Sequence, residues 1–486
     1  MAETRPLLVR LVLISAASSI LSGYDQGVIA GAIGRVKADL HLTHVQEELF
    51  VGVLNLVAAF GCLIAGAVAD TLGRRWTICL ANWLFIVGSI FLSTANSFGL
   101  LLVGRVVMGL GVGIALVVAP VFTAECAPTR LRGFLVTLSD FATNLGIVGG
   151  YAVGLAFYHT NAGWRYMFAL GIVPSVCVAA FVWALPDSPR WLVMCGEKDA
   201  ALAAVRRIGA VKDAEAEVEQ ILRIQEETLE GSAGWRGLFN PADAPTRRML
   251  VAGLGVAFFS QACGTEAVVY YIPDIMTGLG LDEYHALVAT LGAGGCKLLF
   301  LVIAAFLFDR VGRRSMLFVS GTGMALSFVL LSTSHALNSS ALTVIGVCAV
   351  MSSFSLGFSP LVYVIGTEVF PTRVRSVAMA FSLFLTRLIA GIIASLFLSL
   401  QQAMGHVALW AVFATVAAIA VVFAYFCVPE TKGLSLEEVA SQFGDSSEKS
   451  RRSHASSATK PLSTWNCLCQ LAYGDSALPL VADSKL

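Results

Sequence analysis

The chain has 486 residues, of which 57% are hydrophobic and 13% charged, with a mean hydropathy of +0.78. Soluble globular proteins carry about 25% charged residues, so half that share marks lipid as the solvent for much of the chain. Lysine plus arginine and aspartate plus glutamate both number 32, and this balance gives no footing for nucleic-acid binding.

Spanning a hydrocarbon core takes roughly 20 apolar residues per helix. Apolar runs at 7–31, 48–69, 77–95, 99–122, 132–156 and 165–185, then at 248–274, 286–308, 315–334, 341–366, 375–402 and 406–427, predict twelve spans. Backbone polar groups cannot go unpaired in lipid, so these spans are expected as helices of an all-α membrane protein. The first run holds SGYDQGVIAGA (Ser22–Ala32), and Asp25 is the only charged residue from Leu11 to Ile33. It leads straight into the next segment and reads as a retained helix rather than a cleaved signal peptide. Four basic groups fall in later runs: Arg105, Arg165, Lys297 and Arg387. An unpaired charge at mid-membrane costs at least ~2.5–3.5 kcal/mol on insertion scales, so each should have a partner or face water.

The stretch 196–247 differs in kind, rich in charge and in helix formers (EAEVEQILRIQEETLE), and is expected as short amphipathic helices on the cytoplasmic face. Beyond 444 the chain turns to DSSEKSRRSHASSATK, a composition too poor in apolar residues to build a core. The expected divisions are an N-terminal six-helix half at 1–195, a cytoplasmic helical linker at 196–247, a C-terminal six-helix half at 248–443 and a disordered cytoplasmic tail at 444–486.

Loop arginines set the orientation. Arg74, Arg75, Arg130, Arg132, Arg310, Arg313, Arg314, Arg373 and Arg375 share one side, against Arg35 and Lys37 on the other, so both termini are expected in the cytoplasm. Asn338-Ser339-Ser340 then offers a glycosylation acceptor on the outer side. ETRPLL near the start fits a sorting signal towards internal membranes such as the vacuolar one, with the plasma membrane as the default. The eleven cysteines are scattered without metal-ligand spacing, and Cys467 and Cys469 are acylation candidates. No nucleophile–base set, phosphate loop or metal cluster points to an enzyme, and no cofactor or metal is expected.

A repeat runs through the chain. DTLGRR at Asp70 returns as DRVGRR at Asp309, ECAPTRLRG at Glu125 as EVFPTRVRS at Glu368, and PDSPR at Pro186 as PETKG at Pro429. The offsets are 309 − 70 = 239, 368 − 125 = 243 and 429 − 186 = 243. Three pairs in one order at nearly one offset make two homologous halves, and an even number of crossings gives both the same orientation.

These residues resemble the sugar porters of the major facilitator superfamily. The resemblance covers roughly residues 20 to 440 and rests on GYDQGVIAGA, DTLGRR, GRVVMGLGVG, ECAPTRLRG, GWRYMF, PDSPRWL, SQACGTEAVVYYIP, DRVGRR, EVFPTRVRS and PETKG. It implies the major facilitator fold and alternating access around a central site, with the linker helices latching the outward-open state. Asp70, Arg74, Arg75, Glu125 and Arg132, with Asp309, Arg313, Arg314, Glu368 and Arg375, are read as a cytoplasmic gate of ion pairs that break when the site opens inward. In the family the acid of helix one faces an arginine of helix four, which makes Asp25 and Arg105 the expected proton-coupling pair. A desolvated carboxylate prefers to be neutral and a nearby guanidinium favours the charged form, so a change in their separation changes proton affinity. A static ion pair satisfies the same two residues.

The motif register carries the substrate site. Asp140 stands where hexose transporters hold glutamine, Gln261 matches one of a glutamine pair whose other member is Ser260, and Glu266 replaces asparagine. Lys297 replaces another asparagine, Tyr363 a tryptophan, and Thr386 falls at a further polar position beside Arg387. Tyr270 and Tyr271 are expected to line or gate the outer cavity. Acids at the first two departures and lysine at the third are closest to plant-type proton-coupled polyol and inositol transporters. The expectation is a monomeric proton-coupled symporter of a polyol, cyclitol or monosaccharide. A facilitative uniporter on the same site and, from another class, a nutrient sensor are the alternatives.

Overall fold

The computed structural model describes residues 5–126, 132–183, 185–208, 214–231, 234–241, 243–434 and 436–443, and every regular element among them is a helix. The first set comprises α1 (Arg5–Leu40), α2 (His44–Leu72), α3 (Arg74–Ser93), α4 (Phe98–Cys126), α5 (Arg132–Ala156), α6 (Gly163–Leu170) and α7 (Ile172–Val182). Four short helices follow: α8 (Pro189–Met194), α9 (Lys198–Ile208), α10 (Ala214–Gly231) and α11 (Gly234–Phe239). The second set holds α12 (Ala244–Ala262), α13 (Thr265–Thr277), α14 (Glu283–Val311), α15 (Arg313–Ala336), α16 (Ser340–Leu356), α17 (Phe358–Val369) and α18 (Arg375–Cys427), and α19 (Leu436–Gln442) closes the described chain.

Among the described residues nine helical stretches are long and apolar enough to cross a membrane. The 53-residue α18 is one of them, and at 1.5 Å per residue it is about twice the length a bilayer needs. It breaks at Gly405, whose φ of 80° and ψ of 162° lie outside the helical region, and so makes two crossings. With the apolar runs of α1 and α5 this gives the twelve spans of a major facilitator fold.

Two spans expected as continuous are broken, α12/α13 at Cys263–Gly264 and α16/α17 at Gly357, whereas α6 passes into α7 through Gly171 with a helical φ of −62° and ψ of −20°. Gly264 takes φ +78°, a conformation that a side chain disfavours. At Gly357 the carbonyl of Met316 and the side chain of Ser320 stand where a Cβ would be, and the Ser320 hydroxyl accepts from the N–H of Phe358 at 3.2 Å. Irregular backbone at membrane depth is tolerated where it lines a cavity, and both breaks border the central one.

Helix α1 lies against α5 with unusually little between them. Gly23, Gly27 and Gly31 recur every fourth residue, and a methyl on Gly23 or Gly27 would overlap the backbone of Thr143 or Ile147. Gly146 and Gly150 answer from α5, so the two backbones touch as in small-xxx-small packing. The sets meet where α2 packs on α18, α5 on α14 and α1 on α13. Between them α8, α9 and α10 close a small apolar core of their own, including Leu192, Val193, Val205, Val218 and Ile221.

Candidate functional site

At the motif end the two sets carry the same construction twice. Gly73 and Gly312, with φ of +90° and +98°, turn the chain into α3 and α15. The Asp187 carboxylate then accepts from the backbone N–H of Arg74 and Arg75 at 3.1 and 3.2 Å, and Glu430 accepts from those of Arg313 and Arg314 at 2.8 and 3.1 Å. Each carboxylate satisfies N–H groups that a helix start leaves unpaired. Arg74 pairs with Glu125 at 3.1 Å and with Asp70 at 2.9 Å, and Arg313 pairs with Glu368 at 3.1 Å. Arg75 and Arg314 instead donate to the carbonyls of Leu185 and Tyr425, both at 2.6 Å, and Arg375 donates to that of Phe370 at 3.0 Å. Asp187 and Glu430 were not singled out from sequence, although the paired motifs PDSPR and PETKG contain them.

In the middle of the first set, Asp25 of α1 and Arg105 of α4 form one buried unit. Arg105 Nη1 donates to both carboxylate oxygens at 2.8 and 2.9 Å, and the two residues are 2% and 0% exposed. Arg105 Nε donates to the Phe50 carbonyl of α2 at 3.0 Å, and the guanidinium lies 5.2 Å from the Phe50 ring centroid. The charge that looked costly in the first apolar run is therefore neutralised across the bundle. Arg165 sits differently from the sequence expectation. It lies near the start of α6, donating to the Ser93 carbonyl and to Asn96, rather than deep in a span.

Next to Asp25, Gln26 faces a central cavity of about 630 Å³ of empty space including its mouth. Asp140, Gln261, Glu266, Lys297, Tyr363, Thr386 and Arg387 all line it, bringing seven sequence-selected residues from both sets to one place. Arg387 donates to Glu266 at 3.4 Å and to Asn55 of α2 at 3.2 Å, and Asn55 in turn donates to the Tyr270 hydroxyl at 2.9 Å. Lys297, 6% exposed, has the Phe354 ring 5.8 Å away and lies in the fields of Glu266 and Asp140. Asp140 Oδ2 and Gln261 Oε1 are buried with no hydrogen-bond partner among the described residues. Unused acceptors beside cationic donors and aromatic rings are what a ligand of many hydroxyls requires.

Gln26, Thr143, Asn144 and Ser359 of the wall, with Asn55 behind Arg387, are polar residues that sequence reasoning passed over. A lone asparagine in the apolar run of α2 was the available signal. Tyr270 and Tyr271, expected to line or gate the cavity, are 0% exposed and absent from its wall. The Tyr271 hydroxyl donates to the Ala394 carbonyl at 3.0 Å, and its ring stacks on Phe397 at 5.1 Å. The Tyr151 hydroxyl donates to the Val269 carbonyl at 2.9 Å beside them. At the end away from the motifs, Glu48 of α2 accepts from the N–H and hydroxyl of Ser399 of α18, both at 2.6 Å, and Arg35 approaches Glu283 at 4.0 Å. The side chains of Arg132 and Asp309, and the tail with Cys467 and Cys469, lie outside the described residues.

Comparison with known proteins agrees with this construction. The family described as "Sugar (and other) transporter" matches residues 11–443. Probable polyol transporter 4 of Arabidopsis thaliana is 37% identical over 454 residues, which is 91% of this chain and 86% of that protein. The partially occluded inward-open structure of the xylose transporter XylE from E. coli superposes with a TM-score of 0.75 at 24% identity, covering 88% of this chain and 99% of that one. XylE described as a proton:xylose symporter and bound to 6-bromo-6-deoxy-D-glucose gives 0.74 at 24% identity, covering 90% and 99%. At that identity the likeness concerns the fold.

Proposed function

The chain belongs to the sugar transporter family, and on that footing we propose that it is a proton-coupled symporter of a polyol, cyclitol or monosaccharide. The observation that carries coupling is the Asp25–Arg105 pair, 2.8 Å apart and sealed from solvent beside Gln26 of the cavity wall. The pair is also wired to the site. Arg105 holds the Phe50 carbonyl of α2, and five residues on, Asn55 holds Arg387, which holds Glu266. A shift of α2 against the second set therefore disturbs the cavity and the ion pair together. A carboxylate separated from its guanidinium in a low-dielectric interior takes up a proton, and restoring the pair expels it. Asp25 is the proton acceptor and Arg105 the residue that tunes it.

Asp140, Gln261 and Glu266 serve as acceptors for substrate hydroxyls, Lys297 and Arg387 as donors, Thr386 as either, and Tyr363 as the surface for the carbon skeleton. Acids and a lysine favour linear polyols or cyclitols, and the plant relative bears the name of a polyol transporter. The contacts of Glu48 with Ser399 and of Asn55 with Tyr270 and Arg387 support an inward-facing state, closed on the outer side. The motif pairs Arg74–Glu125 and Arg313–Glu368 lie within one set each and are intact here, so they stiffen each half rather than open with the site. A cytoplasmic gate between the halves forms through further contacts of the motif residues, Asp70 to Arg375, in the opposite state, with Tyr270 and Tyr271 packed in the outer closure. The halves at 1–195 and 248–443 rock as bodies about the site, and the linker at 196–247 braces their inner ends. The chain works as a monomer in the plasma membrane with both termini in the cytoplasm.

Uptake of labelled inositols, sorbitol, mannitol, xylose, glucose and fructose into proteoliposomes, at two external pH values, tests the reading. Faster uptake of a polyol or cyclitol at the lower pH supports it. A pH-independent hexose flux that only equilibrates would identify a uniporter instead.

A further inference from the structure

A second cleft lies at the motif end, between α11, the start of α12 and the turn joining α17 to α18. It holds about 1290 Å³ of space between atoms, open to solvent, and its wall includes Arg236, Asn240, Asp243, Thr246, Thr372 and Arg373. Among the described residues neither Arg236 nor Arg373 has an ion-pair partner. Asp243, the acid in the wall, is already engaged as the cap of α12, accepting from the N–H and hydroxyl of Thr246 at 3.4 and 3.0 Å. Two guanidinium groups thus face a cleft with an amide and two hydroxyls beside them, against the one carboxylate of Asp243, whose Oδ2 is turned to Thr246.

The depth of this cleft is set by its surroundings. Trp235 and Phe239 are 44% and 69% exposed, stack on each other at 6.2 Å, and flank the point where the chain enters the spanning helix α12. Exposed aromatic rings at such a boundary belong to the headgroup layer. Between them, Leu238 is buried in a cluster with Leu250, Phe370, Val374 and Ala378, which fixes α11 to the α17–α18 turn. The cleft is therefore braced by this cluster, carries one more cation than anion, and on the proposed orientation falls at headgroup level.

We propose that this cleft binds the phosphate of an anionic phospholipid headgroup, held between Arg236 and Arg373. Guanidinium forks suit phosphate oxygens, and Asn240, Thr246 and Thr372 supply the remaining donors. The proposed orientation puts this end at the cytoplasmic leaflet, where anionic lipids concentrate. A bound headgroup ties the linker helix to the turn leading into α18, and so couples lipid composition to the second set without involving the substrate site.

The test uses the purified full chain. Dioctanoyl phosphatidate, dioctanoyl phosphatidylinositol 4,5-bisphosphate, dioctanoyl phosphatidylcholine and inorganic phosphate are compared by thermal unfolding and native mass spectrometry. Both anionic lipids should raise the melting temperature and stay bound, whereas phosphatidylcholine should do neither. Affinity for the anionic lipids should fall about fivefold in Arg236→Gln or Arg373→Gln and about thirtyfold in the double variant, with Arg→Lys recovering part. Unchanged affinity in these variants overturns the site. Equal protection by inorganic phosphate overturns the lipid assignment in favour of a soluble anion. Should the double variant fail to purify, the two single variants decide the question by the same fall in affinity.

Discussion

At the motif end Arg74 meets Glu125 at 3.1 Å, and 313 − 74 = 239 residues later Arg313 meets Glu368 at 3.1 Å, with Asp187 and Glu430 capping α3 and α15 in the same way. Half a membrane away the two sets share nothing so close. The first holds a dry Asp25–Arg105 pair, whereas the second presents Glu266, Lys297 and Arg387 to a cavity. The contrast separates scaffold from chemistry. A construction kept in both copies serves a task common to both halves, which in the proposed cycle is to move as firm bodies. A group present in one copy fits a task done once per cycle, as the proposed proton site requires, while the cavity draws Gln26, Asp140 and Asn144 from the first set as well.

The largest effect should come from splitting the unpaired element of this contrast. Arg105→Ala removes one partner of a buried pair, costing about 3–5 kcal/mol, and should shrink the folded peak in fluorescence-detected size exclusion more than Asp25→Asn does, since the amide oxygen of Asn can still accept from Arg105. Asp25 and Arg105 replaced together by Asn and Gln should restore much of that peak. Next comes the cavity. Glu266→Gln removes a charge-assisted bond of about 1.5–3 kcal/mol and should raise KM roughly 10- to 100-fold, with a fall in melting temperature smaller than that of Arg105→Ala because Arg387 keeps Asn55. The duplicated element should respond in step. Asp187→Ala frees three backbone N–H groups and Glu430→Ala four, two in each case at the start of α3 or α15, costing about 1–2 kcal/mol, and the comparison breaks if one lowers the melting temperature far more than the other. The smallest effect belongs outside both. Arg223 pairs with Glu219 on the surface of α10 at 2.8 Å, and Arg223→Ala should move neither melting temperature nor uptake.

Much of this was legible in the residues, for reasons that differ by region. Apolar runs are long because lipid demands it, so the number and order of spans could be read directly. The repeat could be read because its motifs combine a turn glycine with arginines at fixed spacing. Breaks within spans were hidden, since Gly264 and Gly357 look like other glycines until a neighbour such as Phe413 or Met316 occupies the space of a side chain. The same holds for partners. Register placed Asp140, Glu266, Lys297 and Arg387 at one cavity, but that Asn55 bridges Arg387 to Tyr270 depends on how α2 packs against α18. Tyr270 and Tyr271 are buried and hydrogen-bonded off the cavity wall, a placement that depends on packing and that sequence alone does not separate from lining the cavity.

The central claim is that Asp25 gains and loses a proton in every cycle. The direct measurement is accumulation of labelled substrate in proteoliposomes under an imposed proton gradient, with Asp25→Asn beside the unaltered protein. The account predicts that the unaltered protein concentrates substrate and loses this ability when a protonophore collapses the gradient. Asp25→Asn should fail to concentrate it yet still exchange labelled for unlabelled substrate across the membrane. An Asp25→Asn protein that accumulates substrate as the unaltered one does would show that the pair is only structural.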